Sequence, residues 1–447
     1  MTDTAGRNGL VLSESRRLRL FSFFLFYFGQ GLPYGLTTTA LPVWVAANGG
    51  TSAQVASVLA MAYLPWSWKF IVAALIDRYA YLPMGRRRLW LILAQVLMSA
   101  GFVIAALLAP GPKDIHILLI VTFLVMAGGA TQDVAVDALA VDILPEQEQG
   151  TASAFMFGGQ AVGGALAAAG GAASLQYLGS ATTFLLFIPF LLIPTIYAVV
   201  LRERPGEKRF PWSPGTTAAE NRDRVAENWA AIIKVTFKSL IKGPSLLFLT
   251  GQSLSRTAGG LAIAMWPLLG TRFIGLDESG YGSLVSTIDL VMAIVAIGIG
   301  SFLTARIGPR RGAIIVLLLF AALYGFIALG KDLWTTFAIF ACIYAVSSVL
   351  TVLMSVCTNP LRMQLCDKRV SATQFTIYNS MANLPVSLGA TLFAIVGGVD
   401  QLAQTMLCAI SLMVVGSIAY ALLKMPSERG ETLTMEEFEE GLAPRVQ

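Results

Sequence analysis

The sequence predicts an all-α polytopic membrane protein, with twelve transmembrane helices arranged as two pseudo-symmetric six-helix bundles. Three observations lead there. Hydrophobic residues make up 56% of the 447, and charged residues only 13%, about half the share of a soluble domain. Apolar runs of roughly 20 residues recur from end to end, each long enough to cross a bilayer as a helix, and no period-2 alternation marks a barrel. Finally, three local patterns recur in the second half at a common offset, as expected of an internal repeat.

The chain divides accordingly into a polar N-terminal tail (1–17), a first bundle (18–201), a linker (202–245), a second bundle (246–424) and an acidic C-terminal tail (425–447). No short apolar core with a small-residue cleavage site follows the first twenty residues, so the first apolar run is expected to remain as a helix rather than leave with a signal peptide. Spans are read near 18–46, 53–76, 89–109, 115–141, 150–173 and 180–201, then 246–272, 279–304, 312–330, 334–358, 370–397 and 402–423. The linker opens RERPGEKRFPWSPG and continues into VAENWAAIIKVTFKSLIKG, a candidate surface helix.

Lysines and arginines set the orientation. Arg16, Arg17 and Arg19, the 2–3 loop (Arg78, Arg86, Arg87, Arg88), the linker, the 8–9 loop (Arg306, Arg310, Arg311) and the 10–11 loop (Arg362, Lys368, Arg369) fall on one side; Lys113, Arg272 and Lys331 fall on the other. Cationic loops stay cytoplasmic, so both termini are expected in the cytoplasm of a multi-pass protein in the lipid bilayer. The net charge of +5 follows these loops and is no nucleic-acid footprint. Cys342, Cys357, Cys366 and Cys408 have spacings that suit neither a metal site nor disulfides, and His116 is the one histidine. No metal and no other cofactor is expected.

The repeat joins Gly29-Gln30 of span 1 to Gly251-Gln252 of span 7, and Gly85 to Arg88 after span 2 to Gly308 to Arg311 after span 8. More loosely, it joins Gly150 to Phe155 at the start of span 5 to Val370 to Phe375 at the start of span 11.

An ionisable group inside a span is costly unless it faces a polar interior, so the few present are the candidates for function. Asp133 and Asp137, four residues apart, share one face of span 4 in its cytoplasmic half. Either is a candidate proton-coupling site, and either could instead pair with the basic 2–3 loop; Asp142, just beyond, is expected to be a solvated helix-end charge. Near the midplane lie Gln30 and Tyr34 in span 1, Arg256 in span 7 and Asp289 in span 8. Arg256 is always charged and needs an anion: Asp289, an acidic substrate, or each in turn, with Asp289 taking a proton when displaced. Lys69, about two turns inside span 2, either snorkels to the interface or faces a cavity. Asn379 and Asn383 share a face of span 11, as do Tyr63 and Trp66 in span 2; such groups serve binding or interhelical packing. Candidate substrate contacts are therefore Gln30, Tyr34, Lys69, Arg256, Asn379 and Asn383, with Asp289 a third proton-coupling candidate. The glycines of GGQAVGGALAAAGGAA (158–173) let helices approach closely.

The 2–3 loop, IDRYAYLPMGRRR, resembles the loop motif of the major facilitator superfamily, an Asp-Arg followed by Gly-Arg-Arg. The six-plus-six repeat is also that superfamily's, with a substrate site between the halves. The resemblance assigns Asp77, Arg78, Gly85, Arg86, Arg87 and Arg88 to a cytoplasmic gate whose ion pairs release as the halves rock; the plain alternative is positive-inside anchoring. More closely, LPWSWKFIVAALIDRY with TQDVAVDALAVDILPEQEQG resembles the AmpG muropeptide permease and acetyl-coenzyme A transporter branch, through Lys69, Asp77, Arg78, Tyr79, Gln132, Asp133, Asp137 and Ala138. Leu139 stands where that branch often has Trp, and Glu-Gln-Gly where Glu-Arg-Gly is common. The resemblance covers the first half; beyond residue 205 it is architectural.

It implies a monomeric, proton-coupled importer of the bacterial inner membrane, moving a bulky, amphipathic, anionic solute such as an anhydromuropeptide. Siderophores or acyl-coenzyme A are the alternatives on the same scaffold. An integral-membrane enzyme acting on lipid-linked sugars is a remote one, since no HExxH, Gly-rich phosphate loop or serine-nucleophile motif is present.

Overall fold

The computed structural model describes residues 10–222, 240–241, 243–365 and 377–424. Nearly all of the expected surface helix, the opening of span 11, Cys366, Lys368, Arg369 and the acidic tail lie outside the described residues.

Helix α1 is capped by Ser15, whose Oγ accepts from the Leu18 amide; it runs Arg16–Gly35, widens into a π-turn at Leu36–Ala40 and ends as Leu41–Ala47. α2 opens on a Thr51–Gln54 capping box, runs Ser52–Tyr63, tightens to a 3₁₀ turn at Pro65–Trp68 and resumes as Lys69–Arg78. Pro65 has no amide proton to donate, and the tighter turn re-phases everything after it. α3 is Arg88–Leu108 and α4 Ile115–Ile143. α5 (146–178) and α6 (180–200) meet at Gly179, where a φ of 76° turns the chain.

In the second half, α7 runs Gly243–Leu268 and also ends in a π-turn, Leu269–Phe273. α8 (Glu278–Ile307), α9 (Pro309–Leu329), α10 (Phe337–Leu365), α11 (Leu384–Ile395) and α12 (Leu402–Leu422) follow.

α1 lies against α5 and α6, and α3 against α4; Phe102 of α3 packs edge-on to Phe184 of α6 with centroids 5.7 Å apart. Likewise α7 lies against α11 and α12, and α9 against α10 and α12. The bundles meet where α5 faces α8 and α2 faces α11. Outward faces expose Leu107, Leu186, Leu318 and Leu422, the lipid-facing inversion expected of membrane helices.

The repeat recurs in the backbone. Gly29 is pressed against Pro194 of α6, and Gly251 against Tyr420 of α12. Gly31 abuts the α5 backbone at Gln160, as Gly260 abuts the α11 backbone at Val386. Gly85 and Gly308, before α3 and α9, adopt φ of 102° and 81°, a region open to glycine and strained for other residues. The third repeat match has one member outside the described residues.

Ties between the bundles run from the rim remote from the termini to the midplane. At the rim, Asn48 donates to Glu278 (2.9 Å), Gln176 to Asp277 (3.0 Å) and Arg272 to the Gly50 carbonyl (2.5 Å). Deeper, Ser387 donates to the Ala60 carbonyl at 2.9 Å and Asn383 to the Trp66 carbonyl at 3.5 Å.

Candidate functional site

The re-phased end of α2 decides where Lys69 goes. Its Nζ lies 2.6 Å from Asp133 Oδ2 and 5.3 Å from the centre of the Trp66 ring, and Lys69 and Asp133 are each 6% exposed. Snorkelling is thereby overturned: the ammonium turns inward because a carboxylate awaits it where the low dielectric strengthens their attraction. Gln30 Nε2 donates to Asp133 Oδ1 at 3.0 Å, and Gln160 of α5 fixes the amide by donating to Gln30 Oε1 at 3.0 Å. Tyr27, three residues before Gln30 and so on the same face, donates to Asp137 Oδ1 at 2.5 Å and approaches Asp133 Oδ1 at 3.3 Å. Gln132 points elsewhere and donates to the Phe26 carbonyl at 2.5 Å. The pairing of Asp133 with the basic loop is replaced by this inward network; Asp137's bond is to Tyr27.

Asp289 lines a cavity of about 260 Å³ between α1, α5 and α8, with Tyr34, Thr38, Gln160 and Ser286 among its walls. It is not paired with Arg256. Instead Tyr344 and Ser348 of α10 donate to its two oxygens, at 3.1 and 2.7 Å, because two hydroxyls on the adjoining helix satisfy the carboxylate without a cation. Arg256 is half-buried and makes no hydrogen bond or ion pair among the described residues. It lies within electrostatic reach of Tyr34 and Tyr63, whose hydroxyls are 2.9 Å apart; the Trp66 ring stands edge-on to Tyr34 with centroids 6.5 Å apart.

Arg362 departs from its expected place in the 10–11 loop. It belongs to α10 rather than to a loop, is 4% exposed, and donates to Gln252 Oε1 (3.2 Å) and Asn379 Oδ1 (3.0 Å). Asn379 therefore positions an arginine, and Asn383 ties α11 to α2. Of the expected substrate contacts, Tyr34 lines the cavity, Arg256 lies near it, and Gln30, Lys69, Asn379 and Asn383 hold the surrounding frame.

The expected gate residues knit one face of the first bundle. Arg87 Nε lies 3.0 Å from Asp142 Oδ2, and Arg86 Nη1 3.6 Å from Oδ1. Asp142, expected in solvent, is thus enclosed, its side chain 6% exposed, because the loop folds over the end of α4. Glu203, just past α6, accepts the amides of Arg86, Arg87 and Arg88 at 2.8, 2.7 and 2.6 Å. A carboxylate so placed satisfies the free amides at a helix start and opposes its dipole. Gly85 makes the approach feasible, since a Cβ there would sit 2.5 Å from the Glu203 carboxyl carbon.

Arg88, buried, donates to the carbonyls of Ala198, Val199, Lys208 and Arg209. Glu207 accepts the amides of Glu203 and Arg204, both at 3.0 Å. Burial pushes its carboxyl up to about 7, with Glu203 adding to the effect; burial also raises Glu203, against the pull of its three amides. The N-terminal segment joins in: the Leu12 amide donates to the Arg202 carbonyl at 2.9 Å, and Arg19 grips Glu148 through two bonds of 2.7 and 2.8 Å. Arg78 is exposed and lies over the Tyr79 ring at 5.7 Å; the Asp77 side chain lies outside what is described. These partners lie on the first bundle, the N-terminal segment and the start of the linker.

Sequence reasoning passed over Tyr27, Gln160, Glu203 and the helical placement of Arg362. Tyr27 carried a signal in its spacing from Gln30, and Arg362 in following an apolar run much as Arg256 does. Glu203 carried none, being one charge among several after a span.

The family model described as Major Facilitator Superfamily matches residues 20–390. The anhydromuropeptide permease of Escherichia coli (strain K12) is 26% identical over 371 residues, covering 79% of this chain and 69% of that one. The transporter named AmpG 4 of Rickettsia conorii is 24% identical, covering 82% and 87%. Among solved structures, the nucleoside transporter NupG superposes with a TM-score of 0.69 at 12% identity, covering 91% of this chain and 98% of that one; this likeness concerns the fold. A matching family model over most of the chain, two bundles related by a repeat, and ionisable groups turned inward agree: this chain belongs to the major facilitator superfamily and is an AmpG-like membrane transporter.

Proposed function

We propose that the protein is a proton-coupled importer of the bacterial inner membrane, both termini cytoplasmic, carrying a bulky amphipathic anion such as an anhydromuropeptide by rocking alternating access. One observation carries the reading: Arg256, a permanent cation without an ionic partner among the described residues, stands beside a midplane cavity whose walls include Asp289. An unpaired cation in low dielectric is costly, and an anionic solute relieves that cost on binding. The aromatic groups Tyr34, Tyr63 and Trp66 supply apolar faces and hydroxyls suited to a sugar ring. The cavity accepts a sugar-sized portion of the solute, and the bundles rock to admit the rest. Asp133, Asp137 and Asp289 supply the carboxyls for proton coupling. The Asp77 to Arg88 loop steadies the first bundle as it moves. The transporter acts as a monomer and needs no cofactor.

The test is uptake of labelled anhydromuropeptide into proteoliposomes, with and without an inward proton gradient. Gradient-dependent accumulation supports the reading. No uptake by folded protein removes the muropeptide and moves the search to siderophores and acyl-coenzyme A, where the same cation would face a carboxylate or phosphate.

A further inference from the structure

The three carboxyls are not equivalent. Asp133 is saturated: Lys69 Nζ and Gln30 Nε2 hold its two oxygens at 2.6 and 3.0 Å, and it is 6% exposed. Asp289 has two hydroxyl donors, one on each oxygen. Asp137 has the Tyr27 hydroxyl on one oxygen, leaves the other without a donor among the described residues while Lys69 acts on it from its bond to Asp133, and, like Asp289, has an exposed side chain. Its donor Tyr27 packs edge-on against Phe157 at 6.4 Å, and Phe157 is among the residues lining the cavity.

Tyr27 has one hydroxyl proton and two carboxylate neighbours. With Asp137 ionised, that proton serves Asp137, at 2.5 Å, and Asp133 is held by Lys69 and Gln30. With Asp137 protonated, its own O–H donates to the Tyr27 oxygen and frees the tyrosine proton to turn to Asp133, now 3.3 Å away. A third donor on Asp133 weakens its hold on Lys69. Lys69 in turn lies within electrostatic reach of Arg362 on the second bundle, so the change is felt across the interface.

Building on the proton-coupled reading, we propose that Asp137 is the group that takes up and releases the transported proton, and that Tyr27 relays its state to the Lys69–Asp133 pair. The proton adds to a free carboxylate oxygen of Asp137 from one side and leaves it to the other. The charged and polar groups that act on it are Tyr27 on α1, Lys69 on α2 and Asp133 on α4; behind Asp133 stand Gln30 and Gln160, and behind Lys69 stands Arg362 on α10.

Infrared difference spectra of the purified full chain between acid and alkaline pH test this without any solute. In a Glu207→Gln background, which silences the linker carboxyl that also changes protonation near neutral pH, a protonated-carboxyl band should vanish on adding Asp137→Asn, persist with Asp289→Asn, and persist with a displaced midpoint with Tyr27→Phe; Asp137→Glu should restore it. In proteoliposomes with labelled anhydromuropeptide, one proton per solute supports about tenfold accumulation per pH unit. Asp137→Asn should lose that accumulation by a larger factor than it loses solute counterflow, which needs no net proton release. A band that survives in Asp137→Asn, or full gradient-driven accumulation by that variant, overturns the inference and leaves proton coupling standing. A wild type indifferent to the gradient overturns the coupling reading instead, and the spectra still decide whether Asp137 carries a proton.

Discussion

Replacing Lys69 with methionine removes the cation that neutralises Asp133 and leaves the stem's volume nearly unchanged. Asp133 would then be a charge buried to 6% exposure, supported by Gln30 at 3.0 Å and by Tyr27 at 3.3 Å. Breaking one partner out of a buried pair costs about 3–5 kcal/mol. At roughly 2 °C per kcal/mol for a long chain, the midpoint of thermal unfolding should fall by about 6–10 °C. Asp133→Asn strands the lysine instead and should cost a similar amount. The double variant Lys69→Met/Asp133→Asn has no stranded charge and should recover most of the loss, giving a coupling energy of a few kcal/mol. Loss of monodisperse protein after heating, followed by size-exclusion chromatography in one detergent for all four proteins, reads the midpoints. Single losses that simply add, within about 0.5 kcal/mol, would refute the claim that these two side chains meet.

Other consequences are open to direct measurement. Because Glu207 is raised from an ordinary 4.5 to about 7 by burial, its contribution to the folded linker is full below the ordinary value and is lost as pH climbs through about 7. Hydrogen exchange at the 203–216 amides should therefore accelerate from pH 6 to pH 8 beyond the intrinsic rate, and Glu207→Gln should flatten the excess; equal profiles would count against it. Gly85→Ala forces a side chain into a conformation costing about 1–3 kcal/mol and displaces the Glu203 carboxyl, so the thermal midpoint should drop by a few degrees; an unchanged midpoint would show that the loop rearranges freely. Arg256→Ala should weaken binding of an anionic solute by about tenfold or more, with Arg256→Lys intermediate. Unchanged affinity in both would remove Arg256 from the binding site.

What the sequence conveyed and what it withheld follow from where the information lies. Span positions, the π-broken α1 aside, come from apolar run length, which is a property of the chain alone. The repeat was legible because Gly85 and Gly308 meet a backbone need for positive φ, and Gly29 and Gly251 leave room for a side chain of the neighbouring helix. Charged residues in spans marked themselves as inward-facing, yet their partners did not. Whether Lys69 met Asp133 depended on the phase shift at Pro65, a three-dimensional consequence of one missing amide proton. Asp289 chose two hydroxyls over Arg256 because α10 presents Tyr344 and Ser348 at the right height, which no spacing in α8 reveals. Glu203 is the clearest case: its role comes from three amides more than a hundred residues away.

The folding of residues 202–222 onto α3, α6 and the N-terminal segment has a practical consequence for anyone who wishes to cut or tag this transporter. The two bundles are joined in sequence by a linker whose first stretch bonds to the first of them through Glu203, Arg204, Lys208 and Arg209. A gene divided at residue 205 would leave Glu207 and the Lys208–Arg209 carbonyls on the wrong fragment, stripping Arg88 of two acceptors, so the first piece should be unstable when expressed alone. Division between 222 and 243 leaves that whole arrangement intact, and coexpressed fragments parted there should reassemble.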